Sequence, residues 1–327
     1  MRAVVCEEHG PPETLVVKEV PDPEPKPNEV VIDVEAASVN FPDVLIIQGK
    51  YQVQPPLPFS PGSEVAGTVS AVGDDVTDVA VGDRVLAAPG FGGFAEKVAI
   101  DAGGVFRVPD GVSAEQAAAL YLTYATSYYA LKDRAELQPG ETLLVLGAAG
   151  GVGLSAVELG RKMGARVIAA ASTDEKLELC KEYGADQTIN YATEDLKERA
   201  KALTDGGGAD VVYDAVGGPY SDPALRATAW RGRFLVIGFA AGDIPKIPLN
   251  LPLLKNCAIV GVYWGMSTVQ EPELHRANVA QLLDWLAAGE LSPHISARYP
   301  LERAAGAIAD MAARKAKGKL VVVPDAD

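Results

Sequence analysis

The chain has 327 residues, 48% of them hydrophobic, and a formal net charge of −15. The length suggests two domains, and the apolar content suffices for two cores. The acidic charge argues against nonspecific nucleic-acid binding, and no apolar run approaches the roughly 20 residues that span a bilayer. The three cysteines, Cys6, Cys180 and Cys257, form no C-x-x-C pair, which favours a reducing cytoplasm over disulfides or structural zinc.

Residues 1–122 have the pattern of short β-strands. Residues 29–35 alternate, with Ile32 and Val34 on one face and charged residues on the other. Gly- and Pro-rich turns separate them from further predicted strands at residues 64–71, 83–88 and 94–100. Short strands at this spacing predict a partly open β-barrel.

From residue 123 to residue 266 the pattern changes to alternating strands and helices. A helix is predicted at residues 174–183, and strands are predicted at 141–146, 165–170, 187–189, 210–214 and 233–237. Such alternation predicts a parallel sheet with right-handed crossovers. The remaining residues predict amphipathic helices at 271–288 and 301–314 and a last strand at 320–323.

The glycine-rich segment VLGAAGGVG, residues 145–153, lies between a predicted strand and a predicted helix. Its spacing is G-x-x-G-x-x-G, one residue longer than the usual dinucleotide fingerprint. An ordinary glycine-rich turn is the alternative, but the βαβ context favours a cradle for a pyrophosphate, built from backbone N–H groups at a helix N-terminus. The candidate cofactor-binding residues of this segment are Gly147, Ala149, Gly150, Gly151, Val152 and Gly153.

The end of the second strand of this unit bears on the choice of cofactor. NAD enzymes place an acidic residue there for the ribose 2′-OH, whereas this strand ends in Ala-Ser. Ser172 as a donor and Lys176 as a counter-charge would suit a 2′-phosphate, which predicts NADPH. The alternative is that Ser172 or Thr173 caps a helix whose first turn holds Asp174 and Glu175, with Lys176 solvated.

Four blocks of sequence together resemble one family. They are residues 1–40, the block FPDVLIIQGKYQVQPPLPFSPGSEVAG at 41–67, GAAGGVG at 147–153 and LVIGFAAG at 235–242. Over nearly the whole chain they resemble the zinc-independent quinone oxidoreductase branch, which includes zeta-crystallin, of the medium-chain dehydrogenase/reductase superfamily.

The resemblance implies an α/β fold with two domains. A GroES-like, partly open β-barrel would comprise residues 1–122 and 267–327, and a Rossmann domain with a doubly wound parallel sheet would comprise residues 123–266. Substrate would bind in the cleft between barrel and sheet. The resemblance also implies a homodimer joined through the apolar strand at residues 257–262, an edge that invites pairing with a second chain.

The chain departs from the zinc-using relatives at their ligand positions. Those enzymes carry a cysteine where this chain has the segment Asn40–Asp43, and a histidine where it has Ser63. Only Glu64 remains, and one carboxylate cannot make a catalytic zinc site. We therefore expect no metal, and we expect hydride delivery to an acceptor that is already electrophilic, such as a quinone or an enone.

The resemblance assigns catalytic roles to three residues. Asn40 and Asp43 would face the nicotinamide, with the Asn40 amide binding a substrate carbonyl or enolate oxygen; the alternative is that both cap the turn around Pro42. Tyr51 would protonate an enolate carbon, with loop packing as the alternative role and water as the alternative donor.

The resemblance also adds cofactor contacts. Tyr191 would be a third contact of the 2′-phosphate. The residues expected around the nicotinamide are Thr126, Gly238, Phe239, Tyr263 and Trp264.

The leading hypothesis is an NADPH-dependent reductase of quinones or α,β-unsaturated carbonyl compounds. An alternative is an enoyl thioester reductase of the acryloyl-CoA type, which would need a basic patch for the CoA phosphates. An alternative of another class is a cofactor-binding protein with little turnover, as in the structural role of zeta-crystallin. Some relatives bind RNA, and the acidic charge argues against that role here.

Overall fold

The structure is a computed structural model that describes residues 1–324. Over these residues the chain divides into two compact units, Met1–Leu122 with the segment from Gln281 onward, and Thr123–Ala280. The first boundary falls at the residue where the sequence pattern changes. The chain returns to the first unit at residue 281, within a long helix, whereas the domain boundary predicted from the sequence is at residue 267.

Residues 1–324 form fifteen strands and ten α-helices. The strands are β1 (Arg2–Val5), β2 (Val16–Glu19), β3 (Glu29–Val39), β4 (Val65–Val72), β5 (Arg84–Ala87), β6 (Lys97–Asp101), β7 (Val105–Arg107), β8 (Thr142–Leu146), β9 (Arg166–Ala171), β10 (Gln187–Asn190), β11 (Ala209–Asp214), β12 (Thr228–Val236), β13 (Ala258–Gly261), β14 (Ile295–Pro300) and β15 (Lys319–Val323). The helices are α1 (Phe41–Ile46), α2 (Ala114–Tyr128), α3 (Gly151–Lys162), α4 (Asp174–Glu182), α5 (Leu196–Ala202), α6 (Ser221–Arg226), α7 (Asn250–Lys255), α8 (Trp264–Gln270), α9 (Pro272–Ala287) and α10 (Ala304–Ala312).

The first unit is built around the long strand β3. Its sheet has the order β14-β15-β3-β4-β5-β7, and β6 also pairs with β3. The alternation of β3 is as expected, because Ile32 and Val34 are buried whereas Asp33 and Glu35 are exposed. The last strand, β15, runs antiparallel to the end of β3, with Leu320 opposite Val39. This register places Lys319 beside Asn40.

The second unit is a parallel sheet in the order β10-β9-β8-β11-β12-β13. The chain moves outward from β8 in one direction and from β11 in the other, so the order reverses between these two strands. In open α/β sheets this reversal is where ligands bind, at the carboxyl ends of the strands. The predicted fold class, a GroES-like domain with a Rossmann-like parallel-sheet domain, is confirmed.

Helix α2 was not predicted. Its sequence, AEQAAALYLTYATSY, is apolar nearly all round, so no 3.6-residue period stands out. A local signal does mark its start: Ser113 Oγ accepts from Gln116 N at 3.1 Å and Gln116 Oε1 accepts from Ser113 N at 3.1 Å, a capping box. No helix within residues 1–324 combines the length and the apolar character needed to cross a membrane.

Candidate active site

The glycine-rich turn follows β8 at the point where the strand order reverses. Gly147 has φ +65°, a conformation that favours glycine. A Cβ on Gly153, in the first turn of α3, would lie 2.1 Å from the Gly147 carbonyl oxygen, so only glycine allows the helix to approach the turn this closely. The spacing of these two glycines is therefore a packing requirement.

The predicted cradle residues lie together at the start of α3. Gly150 is the N-cap residue and has no side chain to cap the helix. The first N–H groups of α3 and the positive end of its dipole are therefore suited to an anion. The intervening Ala149 is buried, and Val152 is half-buried in the first turn.

A cluster of buried hydroxyl groups forms hydrogen bonds with the first turn of α3. The Val152 carbonyl accepts from Ser127 Oγ at 2.9 Å and from Ser155 Oγ at 3.1 Å. Ser127 Oγ lies 2.8 Å from Tyr213 Oη, which joins the cluster to β11. The predicted cofactor residue Thr126 is half-buried and adjacent to Ser127 on α2.

The three predicted 2′-phosphate residues lie at the carboxyl ends of β9 and β10. Ser172 directly follows β9, and Tyr191 N donates to the Ala171 carbonyl at 3.1 Å. Lys176 is in the first turn of α4. The Tyr191 ring packs against Tyr220 with 4.5 Å between centroids.

The structure also shows what the neighbouring polar residues do. Thr173, not Ser172, is the N-cap of α4, with Oγ1 accepting from Lys176 N at 3.3 Å. Asp174 Oδ1 accepts from Asn190 Nδ2 at 2.7 Å. The Asp174 carboxylate, the acidic group nearest the end of β9, is thus hydrogen-bonded to Asn190. Ser172 does not cap α4.

The residues expected around the nicotinamide follow β12 and β13. Gly238 and Phe239 come after β12, and Gly238 N donates to the Asp214 carbonyl at 3.3 Å. Tyr263 is exposed before α8, and Trp264 packs edge-on against His275 with 5.7 Å between ring centroids. Gly238 and Phe239 therefore lie next to β11, whereas Trp264 packs against α9.

A second polar site lies in the first unit, where β3 ends and α1 begins. The Asp43 carboxylate accepts from Asn40 N at 2.7 Å, from Gly62 N at 3.2 Å and from Ser63 Oγ at 3.4 Å. Asp43 is fully buried. Burial raises the pKa of Asp43 to about 7, against the opposing effect of these hydrogen bonds and of the Lys319 charge. Asp43 thus caps the turn that contains Pro42, which is the alternative role given for it in the sequence analysis.

The Asn40 amide is held at both of its polar atoms. Its Oδ1 accepts from Lys319 Nζ at 2.6 Å. Its Nδ2 lies 3.1 Å from Glu64 Oε2, 3.2 Å from Ser38 Oγ and 3.4 Å from Ser63 Oγ. Since an ammonium only donates, the contact with Lys319 fixes which end of the amide faces which neighbour.

Glu64 is the fully buried centre of this cluster. Its Oε2 lies 3.2 Å from Lys319 Nζ and accepts from Ser38 Oγ, while its Oε1 accepts from Leu122 N at 2.6 Å. Lys319 itself is only 2% exposed. Burying either charge alone would be costly, so the pair and its hydrogen bonds stabilise each other.

Sequence reasoning missed Lys319, Ser38 and Leu122 as members of this site. Lys319 is 255 residues from Glu64, so no local spacing connects them. The available signal was a lysine directly preceding the buried strand run LVVV, where a cation needs a partner.

The residues at the zinc-ligand positions do come together, but they do not fit a zinc ion. Asn40, Ser63 and Glu64 offer an amide, a hydroxyl and a carboxylate already paired with an ammonium, whereas catalytic zinc takes three His, Cys, Asp or Glu ligands. Among residues 1–324 no group of three such side chains is placed to hold a metal ion.

Tyr51 follows α1 and is half-buried, with its ring against the apolar core of the first unit. This contact is what the alternative role of Tyr51, packing of the loop, would require. The role of proton donor stays a prediction.

Comparison with known proteins agrees with this architecture. Residues 26–110 match the alcohol dehydrogenase GroES-like domain, and residues 151–287 match the zinc-binding dehydrogenase domain. The fold and the glycine cradle thus define a two-domain dehydrogenase/reductase.

The relatives narrow this class. A quinone oxidoreductase-like protein 2 homolog from Nematostella vectensis is 43% identical, over 98% of this chain and 88% of the relative. A quinone oxidoreductase from Pseudomonas aeruginosa is 36% identical, over 97% of both chains. The structure of Escherichia coli quinone oxidoreductase complexed with NADPH has a TM-score of 0.94 at 32% identity, over 99% of this chain and 100% of that one. The chain belongs to the quinone oxidoreductase branch of the medium-chain dehydrogenase/reductase superfamily.

Proposed function

We propose that this protein is an NADPH-dependent reductase that transfers hydride, without zinc, to quinones or α,β-unsaturated carbonyl compounds. The observation that carries the proposal is the cluster of Asn40, Ser63 and Glu64, whose polar atoms are bonded to one another and to Lys319. Because these side chains do not form a zinc-ligand set, the site would lack the Lewis acid that lowers the barrier to alcohol oxidation. A quinone or an enone is already electrophilic and does not require polarisation by a metal ion.

The cofactor part of the proposal rests on the second unit. The start of α3 supplies backbone N–H groups for the pyrophosphate, and Ser172, Lys176 and Tyr191 are the groups for a 2′-phosphate. The Escherichia coli quinone oxidoreductase, at a TM-score of 0.94, was solved with NADPH bound. Parallel titration with NADPH and NADH tests this part, and equal or tighter binding of NADH would contradict it.

NADPH supplies the hydride when bound, so the protein's own side chains would orient the acceptor and provide or relay the proton. The longest hydrogen bond of the Asn40 amide is the one to Ser63 Oγ, at 3.4 Å. An acceptor oxygen could replace Ser63 Oγ as the partner of Asn40 Nδ2. It would then accept a hydrogen bond from an amide whose orientation Lys319 and Glu64 already fix. The proton for an enolate carbon would come from Tyr51 or from water.

The experiment is a screen of NADPH oxidation against three classes of acceptor: p-quinones, small enones and enoyl-CoA thioesters. We expect turnover with a quinone or an enone. Turnover with enoyl-CoA thioesters alone would replace the proposal by an enoyl thioester reductase. NADPH binding without turnover on any of the three would indicate a binding protein of the crystallin kind.

We also propose that the protein is a homodimer paired through β13. This strand is at the edge of the second unit's sheet. Ile259 on it is 41% exposed, and on the nearby α7 Leu253 and Leu254 are 77% and 70% exposed. An unpaired edge with exposed apolar side chains favours pairing with another chain. Light scattering tests this, with Ile259→Lys expected to give monomers, and a monomeric wild-type protein would contradict it.

We expect a reducing, cytoplasmic location. All three cysteines lie in the described part of the chain, and all three are free thiols. Localisation of a tagged chain by microscopy or fractionation tests this, and recovery from an oxidising compartment would contradict it.

A further inference from the structure

Asp214, the last residue of β11, is a buried carboxylate that the proposed chemistry does not use. Its Oδ1 accepts from Val216 N and from Gly217 N, both at 2.9 Å, and its Oδ2 accepts from Ser221 Oγ at 2.5 Å. Only 3% of the residue is exposed. The segment 215–218 therefore folds around this carboxylate at the carboxyl end of β11.

Segment 215–218 directly contacts the glycine cradle. β11 is the neighbour of β8 in the sheet, and Asp214 pairs in register with Leu146, the residue before Gly147. A Cβ added to Gly147 would lie 2.9 Å from Val216 Cγ2, which is shorter than the contacts that Cβ atoms make in proteins. The Val216 side chain thus forms a wall against the first glycine of the turn.

The same segment also holds the residues after β12. The Val216 carbonyl accepts from Ala241 N at 2.7 Å, and the Asp243 carbonyl accepts from Gly218 N at 3.1 Å. A Cβ on Gly217 would lie 2.8 Å from the Phe239 ring. Segment 215–218 is therefore packed between the turn predicted to hold the pyrophosphate and the Phe239 loop predicted to face the nicotinamide.

This conformation needs a strong local restraint. Gly217 has φ +70° and ψ −152°, and Gly218 has φ +57°. Glycine adopts these angles without a steric penalty but loses more conformational freedom than other residues on doing so. Hydrogen bonds to a charged acceptor are about twice as strong as neutral ones, so Asp214 is well suited to hold the segment.

We propose that Asp214 is a positioning residue of the dinucleotide site. It fixes segment 215–218 and thereby sets, through Val216 and Phe239, two surfaces against which the cofactor lies. The inference rests on the proposed function, since the dinucleotide is taken to be NADPH.

The test compares two carboxylates at opposite ends of β11. Asp210, at the amino end, also accepts a backbone N–H, from Thr142 at 2.8 Å, but lies at the opposite end of the parallel strands from the glycine turn. We expect Asp214→Asn to raise the Kd for NADPH by about tenfold. Asp210→Asn should leave the Kd unchanged. Both variants should lower the melting temperature, so stability alone does not separate them. Titration calorimetry at a temperature where both variants are folded gives the Kd.

Ser221→Ala is the milder second variant, because it removes one of the three donors and leaves both backbone N–H groups in place. We expect a smaller rise in the Kd, and Ser221→Thr, which keeps the hydroxyl, should restore wild-type affinity. If Asp214→Asn does not fold, Ser221→Ala decides the question. The KM for NADPH should rise more than kcat falls at saturating quinone.

The outcomes separate the two proposals. Wild-type binding of NADPH with the same Kd in Asp214→Asn, or in Ser221→Ala if the first variant does not fold, overturns this inference and leaves the proposed function standing. Equal losses of affinity in Asp214→Asn and Asp210→Asn also overturn it, because the effect would then be general loosening of the strand. A wild-type protein that binds no NADPH overturns the proposed function and this inference with it.

Discussion

The two units build their polar sites in opposite ways. In the second unit, the cradle at Gly147–Gly153 is made of backbone groups from seven consecutive residues. In the first unit, the cluster around Glu64 is made of side chains from residues as far apart as Ser38 and Lys319. The start of α3 offers backbone N–H groups to an anion, whereas the cluster of the first unit fixes an ammonium and a carboxylate against each other and against Asn40.

Removing the Lys319 charge should have the largest effect on the side-chain cluster of the first unit. Lys319→Met leaves the Glu64 carboxylate buried without its cation, and breaking such a pair costs about 3–5 kcal/mol of unfolding free energy. Urea denaturation measures this. The NADPH affinity of the folded protein should stay unchanged, because the cradle is a separate site.

The control for Lys319→Met is the double variant Lys319→Met/Glu64→Gln, which removes both charges. It should recover at least half of the lost stability. A double variant no more stable than Lys319→Met would show that the pair is not the source of the effect.

In contrast to Lys319→Met, a substitution at one glycine of the cradle should weaken NADPH binding. Gly153→Ala places a Cβ 2.1 Å from the Gly147 carbonyl oxygen, so the helix must move away from the turn. We expect the Kd for NADPH to rise about 100-fold, equivalent to about 2.7 kcal/mol. Gly306→Ala is the matched control, since a Cβ there meets nothing within 4 Å. Unchanged affinity in Gly153→Ala would refute the assignment of the cradle.

Protonation of Asp43 should make the stability of the first unit depend on pH. Because burial raises the pKa of Asp43 from 3.8 to about 7, the folded state binds a proton that the unfolded state has lost. Its contribution to stability is present below pH 3.8 and is lost as pH rises through 7. Between pH 5 and pH 8 the unfolding free energy should fall by about 2.5 kcal/mol.

Urea midpoints against pH for the wild type and Asp43→Asn isolate this effect. Burial lowers the pKa of His275 to about 4, so its contribution is lost as pH falls below 6.5, which is the opposite direction. That contribution is common to both proteins and cancels in their difference. A difference that stays constant from pH 5 to pH 8 would contradict the raised pKa.

The smallest effect is expected at the edge of the cofactor site. Lys176→Ala should weaken NADPH binding about tenfold and leave NADH binding unchanged, since only NADPH carries the 2′-phosphate. Lys181→Ala on the same helix is the control, because Lys181 pairs with Glu178 at the other end of α4. Equal effects of Lys176→Ala on both cofactors would remove Lys176 from the phosphate site.

The contrast also explains what could be predicted from the sequence. The fold class and the glycine turn follow from local patterns, because strand and helix periods and glycine spacing are properties of consecutive residues. The absence of Cys and His at the zinc-ligand positions was equally visible. Lys319 was not, because its place beside Asn40 depends on the register of β15 on β3.

Asp214 escaped prediction for a related reason. Its sequence, DAVGG, is typical of a turn in which an aspartate accepts from backbone N–H groups nearby, but it does not show that this turn packs against Gly147 and Phe239. Helix α2 was missed because an apolar, alanine-rich run shows no clear period. In each case the deciding information is tertiary packing, which adds to local preference and can override it.

We propose that hydride is transferred to an electrophilic acceptor without a metal. The direct measurement is quinone-dependent NADPH oxidation by protein dialysed against a chelator, with its zinc content determined by mass spectrometry on the same sample. We predict full turnover with well under one zinc ion per chain and no stimulation when zinc is added. Activity that is lost when zinc is removed and returns when zinc is added would contradict hydride transfer without a metal.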